Sequence, residues 1–127
     1  MMSAKNFGSK RLVVGAHYGL TDWIAQRVTA IIMAVYTLVL LVAVLIMPEF
    51  TYSNWVRVFN FTVLSFPLGK MLAFLTFVSL AYHAWVGVRD IWMDYVRHLG
   101  LRLFLTVLTV LWLVASVIYA AQILWSI

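Results

Sequence analysis

Residues 24–46, IAQRVTAIIMAVYTLVLLVAVLI, carry one charged side chain, Arg27, in 23 positions. At 1.5 Å of rise per residue a helix of that length reaches ~34 Å, enough to cross a hydrocarbon layer of ~30 Å with modest tilt. The run predicts a transmembrane helix that Met47-Pro48-Glu49 brings to an end. It is too long for the apolar core of a signal peptide, and no small-residue cleavage pattern follows it, so no processing is expected.

Working outward, the same reading gives a second span over 70–88, KMLAFLTFVSLAYHAWVGV, and a third over 101–124. Between the first two lies 49–67, EFTYSNWVRVFNFTVLSFP, aromatic and amphipathic, as suits a segment lying in the interface. Pro67 and Gly69 close it. RDIWMDYVRHLG, residues 89–100, connects spans two and three, and 1–22 reads as a polar, basic tail in which Thr21 or Asp22 would cap the first helix. The fold class is therefore all-α and integral to the membrane, with three transmembrane helices in a single membrane domain. Trp125, in the last few residues, suits an aromatic belt.

Composition agrees. Of 127 residues, 65% are apolar and 10% charged, against roughly 45–50% and about 25% in soluble domains. Once three spans are drawn, too little chain remains for an extramembrane catalytic module. The net charge of +5 is scattered at the ends of the apolar runs, which excludes a nucleic-acid stripe and suits topology signals. Lys5, Lys10, Arg11, Arg27, Arg89, Arg97 and Arg102 lie on one side and Arg57 and Lys70 on the other, seven against two. That asymmetry predicts a cytoplasmic N-terminus and a periplasmic C-terminus. With no cysteine, thiolate metal sites and iron–sulfur ligation by this chain are excluded, and a redox centre would need histidine.

His83 is the residue that most invites a chemical reading, because an imidazole inside an apolar span is expensive and serves as ligand, relay or hydrogen-bonding partner. At ~100° per residue, Thr76, Ser79, His83, Gly87, Asp90 and, if the helix continues, Asp94 fall within about 40° of one line. Two readings stand. The stripe is a helix-packing seam of small and polar residues, or Gly87 and Ser79 leave room one turn either side of His83 for a flat macrocycle whose iron takes the imidazole. Arg27 shares a face with Ala30, Ala34 and Thr37, so its guanidinium either follows a close-packed interface, where it could meet the propionates of such a haem, or snorkels to the headgroups. His83 would sit six residues, ~9 Å, below the membrane face marked by Arg89. Asp94-Tyr95 sets an acceptor beside a phenolic donor near the headgroups, within reach of an amphipathic carbonyl compound or simply in the interface. His17 and His98 lie in polar segments without metal-ligand spacing. Phosphate loops, HExxH and hydrolytic triads are absent from the sequence.

Taken together, Asp22-Trp23, Gln26-Arg27-Val28-Thr29-Ala30, His83-Ala84-Trp85-Val86-Gly87 and Asp94-Tyr95-Val96-Arg97 resemble the succinate dehydrogenase hydrophobic membrane anchor subunit family, the smaller cytochrome b subunits of bacterial complex II. The resemblance runs from about residue 15 to the C-terminus. It implies a chain bundled with a cytochrome b partner subunit (SdhC) in the inner membrane, docking the iron–sulfur and flavoprotein subunits. By the same resemblance His83 is the axial ligand to the iron of a shared haem b, with the partner supplying the second histidine. Tyr95 hydrogen-bonds ubiquinone with Asp94 in support, and Arg27 lies near the haem propionates or quinone pocket. Where some relatives carry a histidine directly before the acid corresponding to Asp22, this chain has Thr21, and no propionate role passes to His17. The rival reading is a small homo-oligomeric proton-coupled transporter with His83 as relay, against which every acidic residue lies at a span end or in a connection.

The charge asymmetry makes a testable prediction. Topology reporters fused at Asn6 and within 89–100 will report the cytoplasm, and those at Ser53 and Ile127 the periplasm; a cytoplasmic Ile127 overturns the three-span topology.

Overall fold

In a computed structural model, residues 18–127 are described, and they form four helices: α1 (Tyr18–Leu45), α2 (Tyr52–Phe59), α3 (Leu68–Tyr95) and α4 (Leu99–Ser126). The tail up to His17, with Lys5, Lys10 and Arg11, lies outside the described residues. α1, α3 and α4 are each 28 residues long and apolar enough to cross a membrane, so the fold is all-helical with three candidate spans.

All three long helices run past the spans drawn from the apolar runs. α1 starts at Tyr18, so Thr21 and Asp22 stand inside its first turns and cap nothing. α3 continues through Arg89 and Asp90 to Tyr95, leaving Val96, Arg97 and His98 as the non-helical link to α4. Charged residues end a hydropathy run but not a helix, because backbone hydrogen bonding continues to be favourable where the side chains reach headgroups and water. His98 then starts α4: its Nδ1 accepts from the Leu101 N–H at 3.2 Å.

α3 is the middle helix. It packs along α1 on one side and α4 on the other, while α1 and α4 share no extended contact. The α3–α4 seam is antiparallel, pinned near the link by Trp92 Nε1 donating to Thr109 Oγ1 at 3.0 Å and at the far end by an edge-on contact of Phe74 with Trp125. Asn60 Nδ2 donates to the Ile127 oxygen at 3.2 Å, tying the C-terminus to the α2 end of the molecule. Much of the remaining surface is apolar and open; among the described residues only Val86 and Leu124 are buried aliphatic side chains.

The expected interfacial segment contains α2, amphipathic and capped by Thr51, whose Oγ1 accepts from the Asn54 N–H. Trp55 lies against Phe50 and, edge-on, Phe59. Leu64 and Ser65 (φ 50° and 67°) then turn the chain, with Val63 and Phe66 exchanging backbone hydrogen bonds across them. Pro67 precedes α3, and Gly69 fits its first turn against the end of α2, its N–H bonded to the Phe61 carbonyl at 2.8 Å. A Cβ at Gly69 would stand 2.5 Å from the Phe59 carbonyl oxygen, a backbone atom with little freedom to yield.

Gly69→Ala is therefore expected to destabilise the protein by about 1–3 kcal/mol through overpacking, read as a lowered thermal midpoint in detergent or nanodiscs. Gly19→Ala, where a Cβ would meet no atom within 4 Å, serves as the neutral control.

Candidate functional site

α1 brings Asp22, Gln26 and Thr29, spaced i, i+4 and i+7, onto one face toward α3. That face pairs with α3 at two levels. Nearer the helix ends, the Arg89 guanidinium forms an ion pair with Asp22 and lies 3.6 Å from Asp90. Two turns deeper, Thr29 Oγ1 and His83 Nδ1 are 3.0 Å apart, and Gln26 Nε2 donates to the His83 carbonyl at 3.2 Å. Thr29 is buried at 9% exposure and His83 is half-buried. Gln26 Oε1 and Arg89 Nε are buried without a hydrogen-bond partner among the described residues, an imbalance that costs energy unless a group from outside the chain meets it.

The polar stripe on α3 divides between two environments. Ser79 is buried between helices, at 5% exposure, and so belongs to the packing seam and not to any opening beside His83. Gly87 is different: nothing lies within 4 Å of where its Cβ would be, so one turn beyond His83 the surface is open. Asp90 and Asp94 are exposed. Ser79 thus follows the packing reading and leaves no room beside His83, while the position at Gly87 is open.

Arg27 lies on the outer face of α1. Its side chain is exposed, as are Ala34 and Thr37, and the guanidinium stacks over Trp23, 4.4 Å from the ring centroid. One turn of helix separates the two, so the aromatic face holds the cation against the outer side of α1. Asp94 and Tyr95 form the last turn of α3, and Tyr95 is 81% exposed. Among the described residues neither they nor Arg27 hydrogen-bonds to His83, so the structure joins His83 to Thr29 and Gln26 and leaves Arg27, Asp94 and Tyr95 facing outward. Thr29 and Gln26 are site residues to which the sequence alone assigns no role, and Asp22, expected as a helix cap, instead pairs with Arg89. Their signal is the polar spacing Asp22, Gln26, Thr29 along an otherwise apolar helix.

Chemically, the arrangement offers one imidazole in a span, an open surface beside it, a free cation toward one membrane face, and a phenol and a carboxylate at the helix end. Among the described residues no three His, Asp or Glu side chains converge as a metal cage, and His98 is engaged as a helix cap. A metal group seated at His83 would thus take one ligand from this part of the chain and the rest from elsewhere. Among the described residues Nε2 of His83 makes no hydrogen bond, and with an open position at Gly87 one turn away the residue fits such a group.

Residues 1–121 match the family of succinate dehydrogenase/fumarate reductase transmembrane subunits. The chain is similar to the succinate dehydrogenase hydrophobic membrane anchor subunit of Coxiella burnetii, 31% identical over 107 residues, which cover 84% of this chain and 89% of that protein. It is also similar to the protein of that name from Rickettsia conorii, 28% identical over 118 residues, covering 93% and 86%.

Proposed function

Because this chain belongs to the succinate dehydrogenase/fumarate reductase transmembrane subunit family, as a multi-pass membrane anchor, we propose that it shares a haem b with a cytochrome b partner subunit and completes the site where complex II reduces ubiquinone. The observation that carries this reading is His83, a lone span imidazole with Nδ1 bonded inside the chain and open surface one turn away at Gly87. Family membership sets aside the transporter alternative.

His83 would hold the haem iron through its imidazole, with a further ligand supplied by a histidine of the partner subunit. Bound there, the haem supplies a one-electron store within the membrane. Arg27, exposed and stacked over Trp23, would offer its guanidinium to a carboxylate such as a haem propionate, or to the quinone pocket. Tyr95 presents a hydroxyl at the end of α3, where a quinone arriving from the bilayer could accept its hydrogen bond, and that bond strengthens as negative charge develops on the quinone oxygen. Asp94 beside it supports the phenol and lies on a water-accessible surface from which protons can be drawn. The exposure of Tyr95, Asp94 and Arg27 fits a site whose other walls come from the cytochrome b and iron–sulfur subunits, with the flavoprotein beyond them in the cytoplasm of a bacterial inner-membrane complex.

Two substitutions test this reading in the assembled complex. His83→Ala will alter or abolish the reduced-minus-oxidised haem spectrum, and an unchanged spectrum and midpoint potential exclude the ligand role. Tyr95→Phe removes only a hydroxyl, so haem content will hold while ubiquinone reduction falls by roughly tenfold or more. Succinate oxidation with an artificial acceptor that draws on the soluble subunits will stay near normal; ubiquinone reduction at the wild-type rate, or loss of both activities together, excludes the quinone-binding role.

A further inference from the structure

We propose that Thr29 is a positioning residue for His83, accepting a hydrogen bond from Nδ1–H and so fixing which imidazole nitrogen is free to act as a ligand. The inference rests on the reading of His83 as a haem ligand. Its basis is a count of protons at one hydroxyl. Thr29 Oγ1 lies 2.6 Å from the Ala25 carbonyl oxygen, 3.2 Å from that of Gln26 and 3.0 Å from His83 Nδ1. The hydroxyl has one proton, and neither carbonyl can supply another. At 2.6 Å the Ala25 contact is the shortest of the three and is favourable only if the proton lies along it. Oγ1 therefore meets the ring with a lone pair, and Nδ1 must be the protonated nitrogen. A neutral imidazole carries one N–H, which leaves the lone pair of Nε2 as the one that can coordinate.

Burial makes the assignment stable. Thr29 is only 9% exposed, so water does not compete for the bond, and the Gln26 amide fastens the His83 carbonyl to the same helix. Ring and backbone of His83 are thus both tied to α1, which limits the residue's rotation and its register. A ligand imidazole whose second nitrogen donates a hydrogen bond is the more electron-rich ligand. It stabilises oxidised iron relative to reduced, so Thr29 would hold the haem potential lower than an unbonded histidine would.

Valine matches threonine in shape and lacks the hydroxyl, whereas serine keeps the hydroxyl and loses the methyl. In the complete complex, Thr29→Val will raise the haem midpoint potential, shift the low-spin ferric signal in electron paramagnetic resonance, and weaken haem retention by roughly tenfold or more. Thr29→Ser will stay near wild type in potential and spectrum. A pure packing role predicts the reverse order, with the valine variant unchanged and the serine variant perturbed, and that result overturns the proposal. If Thr29→Val retains no haem, Thr29→Cys decides, because its sulfur is a weaker acceptor at the same place. A raised potential there supports the hydrogen bond, and a wild-type potential refutes it. Failure of the underlying reading is seen separately: a wild-type complex without b-type haem, or a wild-type spectrum in His83→Ala, removes the ligand role and with it the proposal. A haem that responds to His83 but not to Thr29 removes the proposal alone.

Discussion

In hydrocarbon a polar group has no water to fall back on, so an unmatched one is costly, and this constraint shapes the α1–α3 seam. Helix formation answers it for the backbone. For side chains it is answered by pairing a polar face of α1 with an imidazole and a guanidinium of α3, at two levels along antiparallel helices. Those contacts are specific in a way that apolar packing is not. Sliding one helix by a turn would separate Asp22 from Arg89 and Thr29 from His83 together, and the deeper bond would be lost where replacement partners are fewest. Register and site geometry are set by the same bonds.

The layered arrangement explains why so much of the chemistry faces outward. With α3 between α1 and α4, the chain buries one line of residues on each side of the central helix and leaves broad apolar surfaces free. In lipid these carry no hydrophobic penalty, so a thin layer suffices as a unit until another membrane subunit packs against it. Arg27, Tyr95 and the open surface at Gly87 all lie where such a subunit, or a cofactor shared with it, could approach. An anchor that kept these groups inside its own bundle could not share them.

Much of the fold was legible because its rule is simple: each long apolar run became a membrane-crossing helix. His83 also stood out, since nothing else so polar lies in the middle of a run. What escaped was set by contact between helices. Arg27 drew attention as the one charge in the first run, yet its partner is its own neighbour Trp23, while the uncharged Thr29 meets the histidine. A threonine in a helix usually satisfies its hydroxyl on the preceding turn, as Thr29 does on Ala25, and only the position of α3 reveals the second bond. The helices extend beyond the apolar runs for a related reason. Asp22 and Arg89 look like boundaries one at a time but neutralise each other across the seam.

The short link between α3 and α4 bears on how the protein is made. With only Val96, Arg97 and His98 outside the helices, and Trp92 bonded to Thr109 just beyond the bend, these two helices form one tight antiparallel hairpin. α1 emerges from the ribosome earlier and is separated from that hairpin by α2 and its turn. The bond between His83 and Thr29 joins residues 54 apart in sequence, so it forms only once α3 has packed against α1. That bond is therefore a marker of the docked helices rather than of insertion into the bilayer, and its loss would report a chain that is in the membrane but not yet packed.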